Sequence, residues 1–276
     1  YYRIRGPARE SYEAVKAIAL HRFATSEPTD DSSDMNVSLI QSLCLSQISL
    51  LGIAATIATA FGGLDFGHML SSEPVVFPMM ASNPIIVGLA GTAPLIAMHN
   101  LWESRPARST AKVEFATNDL VISLFGRRKS DKSNLRKPVS TTMGVMQQCM
   151  LLTTCTSLSE EVIYRMFIPL AVMNVWHSLP LAVGASAMLF GLAHTSPGTA
   201  TPGENLLVGA QQTLNGLWYS LINFVCGGVI WPSMLIHALY DMHVLNKTWH
   251  SLNDQMDWVE RSHPLSPQEM EELRQL

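Results

Sequence analysis

The hydrophobic pattern of the chain consists of long apolar runs separated by short polar stretches. About 20 apolar helical residues are needed to cross the hydrocarbon core of a bilayer, so long runs with few charges are typical of transmembrane helices. Six apolar stretches predict membrane helices, at 37–61, 77–101, 139–175, 179–194, 205–226 and 229–245. The pattern therefore predicts an all-α fold, a polytopic transmembrane helix bundle of about six to eight helices.

Two of these stretches are irregular. The second contains Pro78, Pro84 and Pro94, and proline removes a backbone hydrogen-bond donor, so we expect a kink or a broken start there. The third is too long for one simple span. If it is divided, the number of helices rises to seven or eight.

Charged residues are scarce, at 14% of the chain against about 25% in soluble domains. Of the 18 Lys and Arg residues, five lie in 1–36, nine in 103–137 and three after residue 246. The remaining one is Arg165, inside the apolar part of the chain. This composition excludes a disordered chain, a collagen, a coiled coil and a basic nucleic-acid binder.

The charge pattern also divides the chain into five segments. We expect an extramembrane N-terminal arm (1–36), two transmembrane spans (37–102), a basic extramembrane loop (103–137), a helix bundle (138–246) and an acidic C-terminal tail (247–276). With six spans, both termini lie on the same side of the membrane as the basic loop. The positive-inside rule makes this the cytoplasmic or stroma-like side.

The first unusual group of polar residues in the bundle is Glu160, Glu161 and Arg165. Glu161 and Arg165 are four residues apart, so on a helix they share a face and can pair. Glu160 is turned by about 100° from that face, which leaves its carboxylate available as a general base. The alternative is a structural ion-pair network that contains all three residues.

Two further groups contain histidine. His194 follows Phe190 by one helical turn, and a single histidine at such a place is more often a core or interfacial residue. His237 and Asp241 are also one turn apart, where they form either a buried hydrogen bond or part of a site. If Glu160, His194, His237 and Asp241 converge in the bundle, they make a metal site or a water-activating site. Their spacing differs from the H-E-x-x-H of zinc peptidases.

The three groups together resemble the motifs of the CPBP family, the CAAX-protease and bacteriocin-processing group of intramembrane proteases. The family pattern is E-E-x-x-x-R, then F-x-x-x-H, then H-x-x-x-N or H-x-x-x-D. This chain has EEVIYR at 160–165, FGLAH at 190–194 and HALYD at 237–241, so every motif position is filled. The resemblance covers about residues 139–246 and implies a helical intramembrane peptidase whose catalytic residues line a cavity in the bundle.

The resemblance also implies a role for each motif residue. Glu160 and His194 would activate the water, and His237 and Asp241 would stabilise the oxyanion. Arg165 would orient the two glutamates. If a divalent metal such as zinc is used, its ligands would be His194, His237, Asp241 and Glu160. Ionised Asp241 cannot donate a hydrogen bond to an oxyanion, as Asn would, so it is protonated, orients His237 or binds the metal.

The leading hypothesis is an intramembrane endopeptidase that cleaves a peptide bond of a membrane-associated substrate. The alternative is a non-proteolytic scaffold or assembly factor of the same fold, bound to a membrane complex. The resemblance supports this alternative because CPBP-like proteins of plastids include members implicated in chlorophyll metabolism and complex assembly. A transporter with a proton relay is less well supported, since no inverted repeat is visible.

The expected partners are membrane lipid, a peptide or membrane-protein substrate and, for a scaffold, a larger membrane complex. Chlorophyll is expected only within a photosynthetic complex, where His99 and His243 could bind its magnesium; otherwise both histidines are interfacial. The polar arm and a first residue other than Met favour an organelle. A plastid thylakoid membrane comes first, and the endoplasmic reticulum or a bacterial inner membrane are the alternatives.

Overall fold

The computed structural model describes residues 36–62, 84–103, 120–121, 123–128, 139–140, 142–195 and 202–262. The helices of the described residues are α1 (Val37–Gly62), α2 (Pro84–Glu103), α3 (Thr142–Glu161), α4 (Ile168–Trp176), α5 (Leu179–Ala193), α6 (Pro202–Val225) and α7 (Trp231–Ser262). A π-helical turn, Val162–Phe167, joins α3 to α4, and the two-residue strands β1 (Arg127–Arg128) and β2 (Val139–Ser140) pair in parallel. The predicted all-α bundle is confirmed.

One helix of the described residues is long and apolar enough to cross a membrane, the part of α1 over Val37–Ile57. Shorter apolar helices cover Ile86–Leu101 of α2 and the whole of α5. On α1 the large side chains of Leu45, Ile48 and Ile53 are exposed. Contiguous exposed apolar surface of this kind is typical of contact with a membrane or a partner. The number of spans stays a prediction.

Three helices differ in their bounds from the apolar stretches that predict them. The second begins at Pro84 and contains Pro94, while the earlier part of the predicted stretch, with Pro78, lies outside the described residues. The third predicted stretch forms α3, the π-helical turn and α4 in succession, so it is divided at this turn. The last continues far beyond residue 245, to Ser262. The predicted arm 1–36 (apart from Asn36), most of the basic loop and residues 263–276 also lie outside the described residues.

The bundle packs around three apolar clusters. The first lies between α1, α3 and α7 and contains Ile40, Cys44, Val121, Leu124, Phe125, Val145, Cys149, Leu152 and Trp249. The second lies between α2, α5, α6 and α7 and contains Val87, Leu95, Phe190, Tyr219, Ile236 and Tyr240. The third surrounds the π-helical turn and contains Val162, Met166 and Ile230. The second and third clusters border the three sequence motifs.

Side-chain and backbone contacts fix the ends of the helices. Asn36 caps α1, since its Oδ1 accepts a hydrogen bond from the Leu39 N–H at 3.0 Å. The turn from α6 to α7 uses Gly227 and Gly228 at φ of 75° and 86°, which glycine adopts without a steric cost. Farther along α7, the Trp249 Nε1–H donates a hydrogen bond to the Gly126 carbonyl oxygen at 2.8 Å. The Trp249 contact explains why α7 continues past its apolar segment.

Helices α5 and α6 lie very close to each other at Gly191. A Cβ atom at this position would collide with the Thr213 side chain and with the Gly209 carbonyl oxygen, which belongs to the backbone and cannot rotate away. At Gly184 of the same helix a Cβ would meet nothing within 4 Å. The two glycines therefore differ only in what their neighbouring helix allows.

We predict that Gly191→Ala destabilises the bundle by about 1–3 kcal/mol, the usual cost of overpacking a tight contact. Gly184→Ala is the matched control and should stabilise the helix by about 0.5–1 kcal/mol, because alanine loses less backbone entropy. Thermal unfolding of both variants in detergent measures the difference. Equal melting temperatures would contradict the close approach of α5 and α6.

Candidate active site

The π-helical turn lies directly after the two glutamates of the first motif. Its extra residue changes the backbone pairing, and the Ile168 N–H bonds to the Ile163 carbonyl five residues earlier. The Tyr164 carbonyl accepts a hydrogen bond from the Ser186 hydroxyl of α5. Single π-helical turns inside α-helices are frequent at functional sites. Here the turn carries Arg165 and is held against the helix that ends in His194.

Glu161 is completely buried, and Arg165 and His237 contact its carboxylate. Arg165 Nε lies 3.3 Å from Glu161 Oε2, as the four-residue spacing predicted. His237 Nδ1 lies 2.9 Å from Glu161 Oε1, a contact that the sequence did not reveal because 76 residues separate the two. A carboxylate removed from water needs such partners to be tolerated in a protein interior. Glu161 therefore joins the π-helical turn to α7.

Glu160 has a different environment from its neighbour. Its Oε2 lies 3.7 Å from His194 Nε2 and 3.9 Å from His237 Nε2. This oxygen is buried and makes no hydrogen bond to the described residues. The structure thus brings together the carboxylate and the two histidines as predicted. It also gives the two adjacent glutamates different neighbours.

His194 is oriented by the end of its own helix. Its Nδ1 lies 2.8 Å from the Phe190 carbonyl oxygen, so this nitrogen donates and the other ring nitrogen, Nε2, keeps its lone pair. That lone pair faces Glu160. Two hydrogen-bond acceptors therefore face each other at 3.7 Å and need a donor between them.

Asp241 lies beside the other ring nitrogen of His237. Its Oδ2 is 3.3 Å from His237 Nε2, at the predicted spacing of one turn. Glu161 occupies the opposite side of the imidazole, so each ring nitrogen of His237 faces a carboxylate oxygen. Of the three roles open to Asp241, this geometry favours the orientation of His237. The position gives no sign that Asp241 itself donates to an oxyanion.

Aromatic rings cover the charged groups. The Arg165 guanidinium lies 4.9 Å from the Phe190 ring centroid and 5.6 Å from that of Tyr219, at distances of cation–π contacts. Tyr219 also stacks on His237, with 4.6 Å between centroids and 19° between planes. Phe190 belongs to the second motif, but Tyr219 lies on α6, outside all three motifs. No pattern around Tyr219 in the sequence distinguishes it from other apolar residues of its helix.

The same side chains are candidate metal ligands. Imidazole and carboxylate are donor types that zinc accepts. Within the described part of the chain, however, no group of three or more His, Cys, Asp or Glu side chains is arranged to hold a metal ion.

The site combines paired glutamates and two histidines inside a helix bundle. Residues 142–243 match the family model described as Type II CAAX prenyl endopeptidase Rce1-like. This match confirms the resemblance to the CPBP family for the motif-bearing segment, which is less than half of the chain. No curated protein and no solved structure matches the chain significantly. The family and the apolar α1 indicate a membrane protein.

We predict that Arg165→Met lowers the free energy of unfolding by about 3–5 kcal/mol, because it leaves the buried Glu161 carboxylate without its cation. Thermal stability in detergent is the measurement. The double variant Arg165→Met with Glu161→Gln is the matched control and should recover most of the loss, since no buried charge is left uncompensated. An Arg165→Met protein as stable as the parent would show that the pair is not structural.

Proposed function

We propose that the chain is an intramembrane endopeptidase that uses Glu160 to activate a water molecule. The observation that supports this most is the buried Glu160 Oε2, which makes no hydrogen bond to the residues that the structure describes and faces His194 Nε2 at 3.7 Å. One water molecule suits this place because it can donate to both acceptors. A scaffold has no use for such an arrangement, which costs free energy in a bundle.

The proposed reaction is hydrolysis of a peptide bond. Glu160 accepts a proton from the water, whose oxygen attacks the scissile carbonyl carbon, and His194 holds the water in line. The protonated Glu160 then gives its proton to the leaving amine as the C–N bond breaks. One water molecule is consumed, and the products are a carboxylic acid and an amine.

His237 is proposed to stabilise the oxyanion. Glu161 accepts from Nδ1 at 2.9 Å, which leaves Nε2 directed at the side of the site that contains Glu160 and Asp241. In this position an Nε2–H group donates to Asp241 before the reaction and to the negative oxygen as it forms. Asp241 thus keeps the imidazole in place between turnovers.

The family description supports a substrate class. A type II CAAX prenyl endopeptidase suggests a prenylated peptide as substrate. We propose this class for the present chain as well. The plastid thylakoid location, the bound chlorophyll and the larger membrane complex stay predictions from the sequence. Immunoblots of purified organelle membranes would check the location.

We predict that Glu160→Gln lowers kcat by about 10²–10⁴-fold, the usual contribution of a general base. The measurement is cleavage of an internally quenched peptide with a farnesylated CAAX end, with the unprenylated peptide as comparison. Asp254→Asn makes the same chemical change at an exposed position of α7 and should leave kcat unchanged. Normal cleavage by a folded Glu160→Gln protein would disprove the proposed base and leave the scaffold as the better explanation.

We also predict that dialysis against a strong chelator leaves the cleavage rate unchanged, because the proposed base and oxyanion donor are protein groups. The control is a second sample to which zinc is added back after dialysis. A rate lost with the chelator and restored by zinc, but not by magnesium, would establish the metal that the motifs allow. The ligands would then be sought among His194, His237, Asp241 and Glu160.

A further inference from the structure

We propose that Tyr219 is a positioning residue that fixes the plane of the His237 imidazole. The catalytic consequence of this inference rests on the proposed function, whereas the contact between Tyr219 and His237 does not depend on it. Tyr219 belongs to none of the three motifs and lies on α6, the helix between the second and third motifs. It is completely buried.

The stacking geometry carries the proposal. The rings of Tyr219 and His237 are nearly parallel, at 19°, with centroids 4.6 Å apart. Phe190 meets the His237 ring edge to face at 5.8 Å and 74°. Aromatic pairs prefer offset-stacked or edge-to-face arrangements of this kind. One ring therefore covers a face of the imidazole, and the other contacts it nearly at a right angle.

A hydrogen bond alone does not fix an imidazole. The bond from His237 Nδ1 to Glu161 Oε1 and the contact of Nε2 with Asp241 determine which way each nitrogen faces, but hydrogen bonds tolerate small rotations of the ring about its Cβ–Cγ bond. Such a rotation would move Nε2 away from Asp241, now at 3.3 Å, and from Glu160, now at 3.9 Å. The stacked Tyr219 ring blocks this rotation on one face.

Tyr219 can act in this way because its own helix is firmly held. The neighbouring Trp218 donates from Nε1 to the Gly91 carbonyl of α2 at 2.8 Å. On the other side, Gly216 lies so close to Ala187 and Phe190 that an added Cβ would be within 3.2–3.3 Å of them. Helix α6 is thus fixed between α2 and α5, and the position of Tyr219 is fixed with it.

The test compares Tyr219→Leu with Tyr219→Phe in the full-length protein in detergent. Leucine keeps an apolar side chain without a ring, whereas phenylalanine keeps the stacking ring and loses only the hydroxyl. Phe125→Leu is the matched control, because Phe125 is equally buried but lies in the first cluster, away from the site. A purely structural role of Tyr219 predicts that Tyr219→Leu behaves like Phe125→Leu.

The first readout is the NMR signal of the His237 ring in protein with labelled histidine, assigned by its loss in His237→Gln. We expect Tyr219→Leu to move the ring protons downfield as the ring-current shift disappears, while Tyr219→Phe and Phe125→Leu leave them in place. This readout needs no substrate. Unchanged His237 signals in a folded Tyr219→Leu protein would overturn the proposal.

The second readout is cleavage of the farnesylated quenched peptide. Tyr219→Leu should lower kcat about three- to tenfold with KM unchanged, which corresponds to the loss of one aromatic contact, and Tyr219→Phe should restore it. Equal kcat values for the leucine variant and the parent would overturn the catalytic part of the proposal. If the parent cleaves neither peptide, the proposed function fails, and the NMR comparison alone decides the role of Tyr219.

Discussion

The completely buried carboxylate of Glu161 is the group on which the geometry of the site depends. Burial of a single charge costs several kcal/mol unless partners compensate for it. Arg165 and His237, which both contact this carboxylate, come from different elements, the π-helical turn and α7. Because the carboxylate has to keep both, the π-helical turn cannot move away from α7 without a large loss of free energy. The need to compensate the buried charge of Glu161 thus constrains the distance between the first and the third motif.

The same constraint fixes the position of the adjacent Glu160. Successive residues of a helix are rotated by about 100°, so Glu160 and Glu161 face different surroundings although they are neighbours in the sequence. Glu161 has the Arg165 cation 3.3 Å from its Oε2 and a hydrogen bond from His237 at its Oε1, whereas Glu160 has no cation of Lys or Arg beside it among the described residues and faces two imidazoles at 3.7 and 3.9 Å. Two carboxylates in contrasting environments are a common way to divide acid–base work. Here Glu161 holds the π-helical turn and α7 together, and Glu160 is the glutamate proposed to act as the base.

The parts of the site that the sequence predicted are those within one helical turn. Glu161 with Arg165 and His237 with Asp241 follow from the helical repeat alone. The contact between Glu161 and His237 and the stack of Tyr219 on His237 depend on how α6 and α7 pack, and no local pattern encodes that packing. The π-helical turn was not predicted either, since one extra residue does not disturb an apolar run. The end of α7 was missed because Trp249 and Asn253 are buried against the bundle, after the apolar stretch has ended.

The exposure of the side chains shows how the site can be rigid and still reach a substrate. Arg165, Glu161 and His237 have side chains that are 1%, 0% and 4% exposed. The three remaining polar motif residues are more open, with Glu160 at 17%, His194 at 30% and Asp241 at 29%. The buried half contains the ion pair and the aromatic rings, whose contacts are strengthened by the low dielectric constant. The open half contains the groups proposed to touch water and the peptide. In the proposed reaction, a substrate would approach Glu160 from the more exposed side, where His194 and Asp241 lie, and would meet groups that the buried half has already placed.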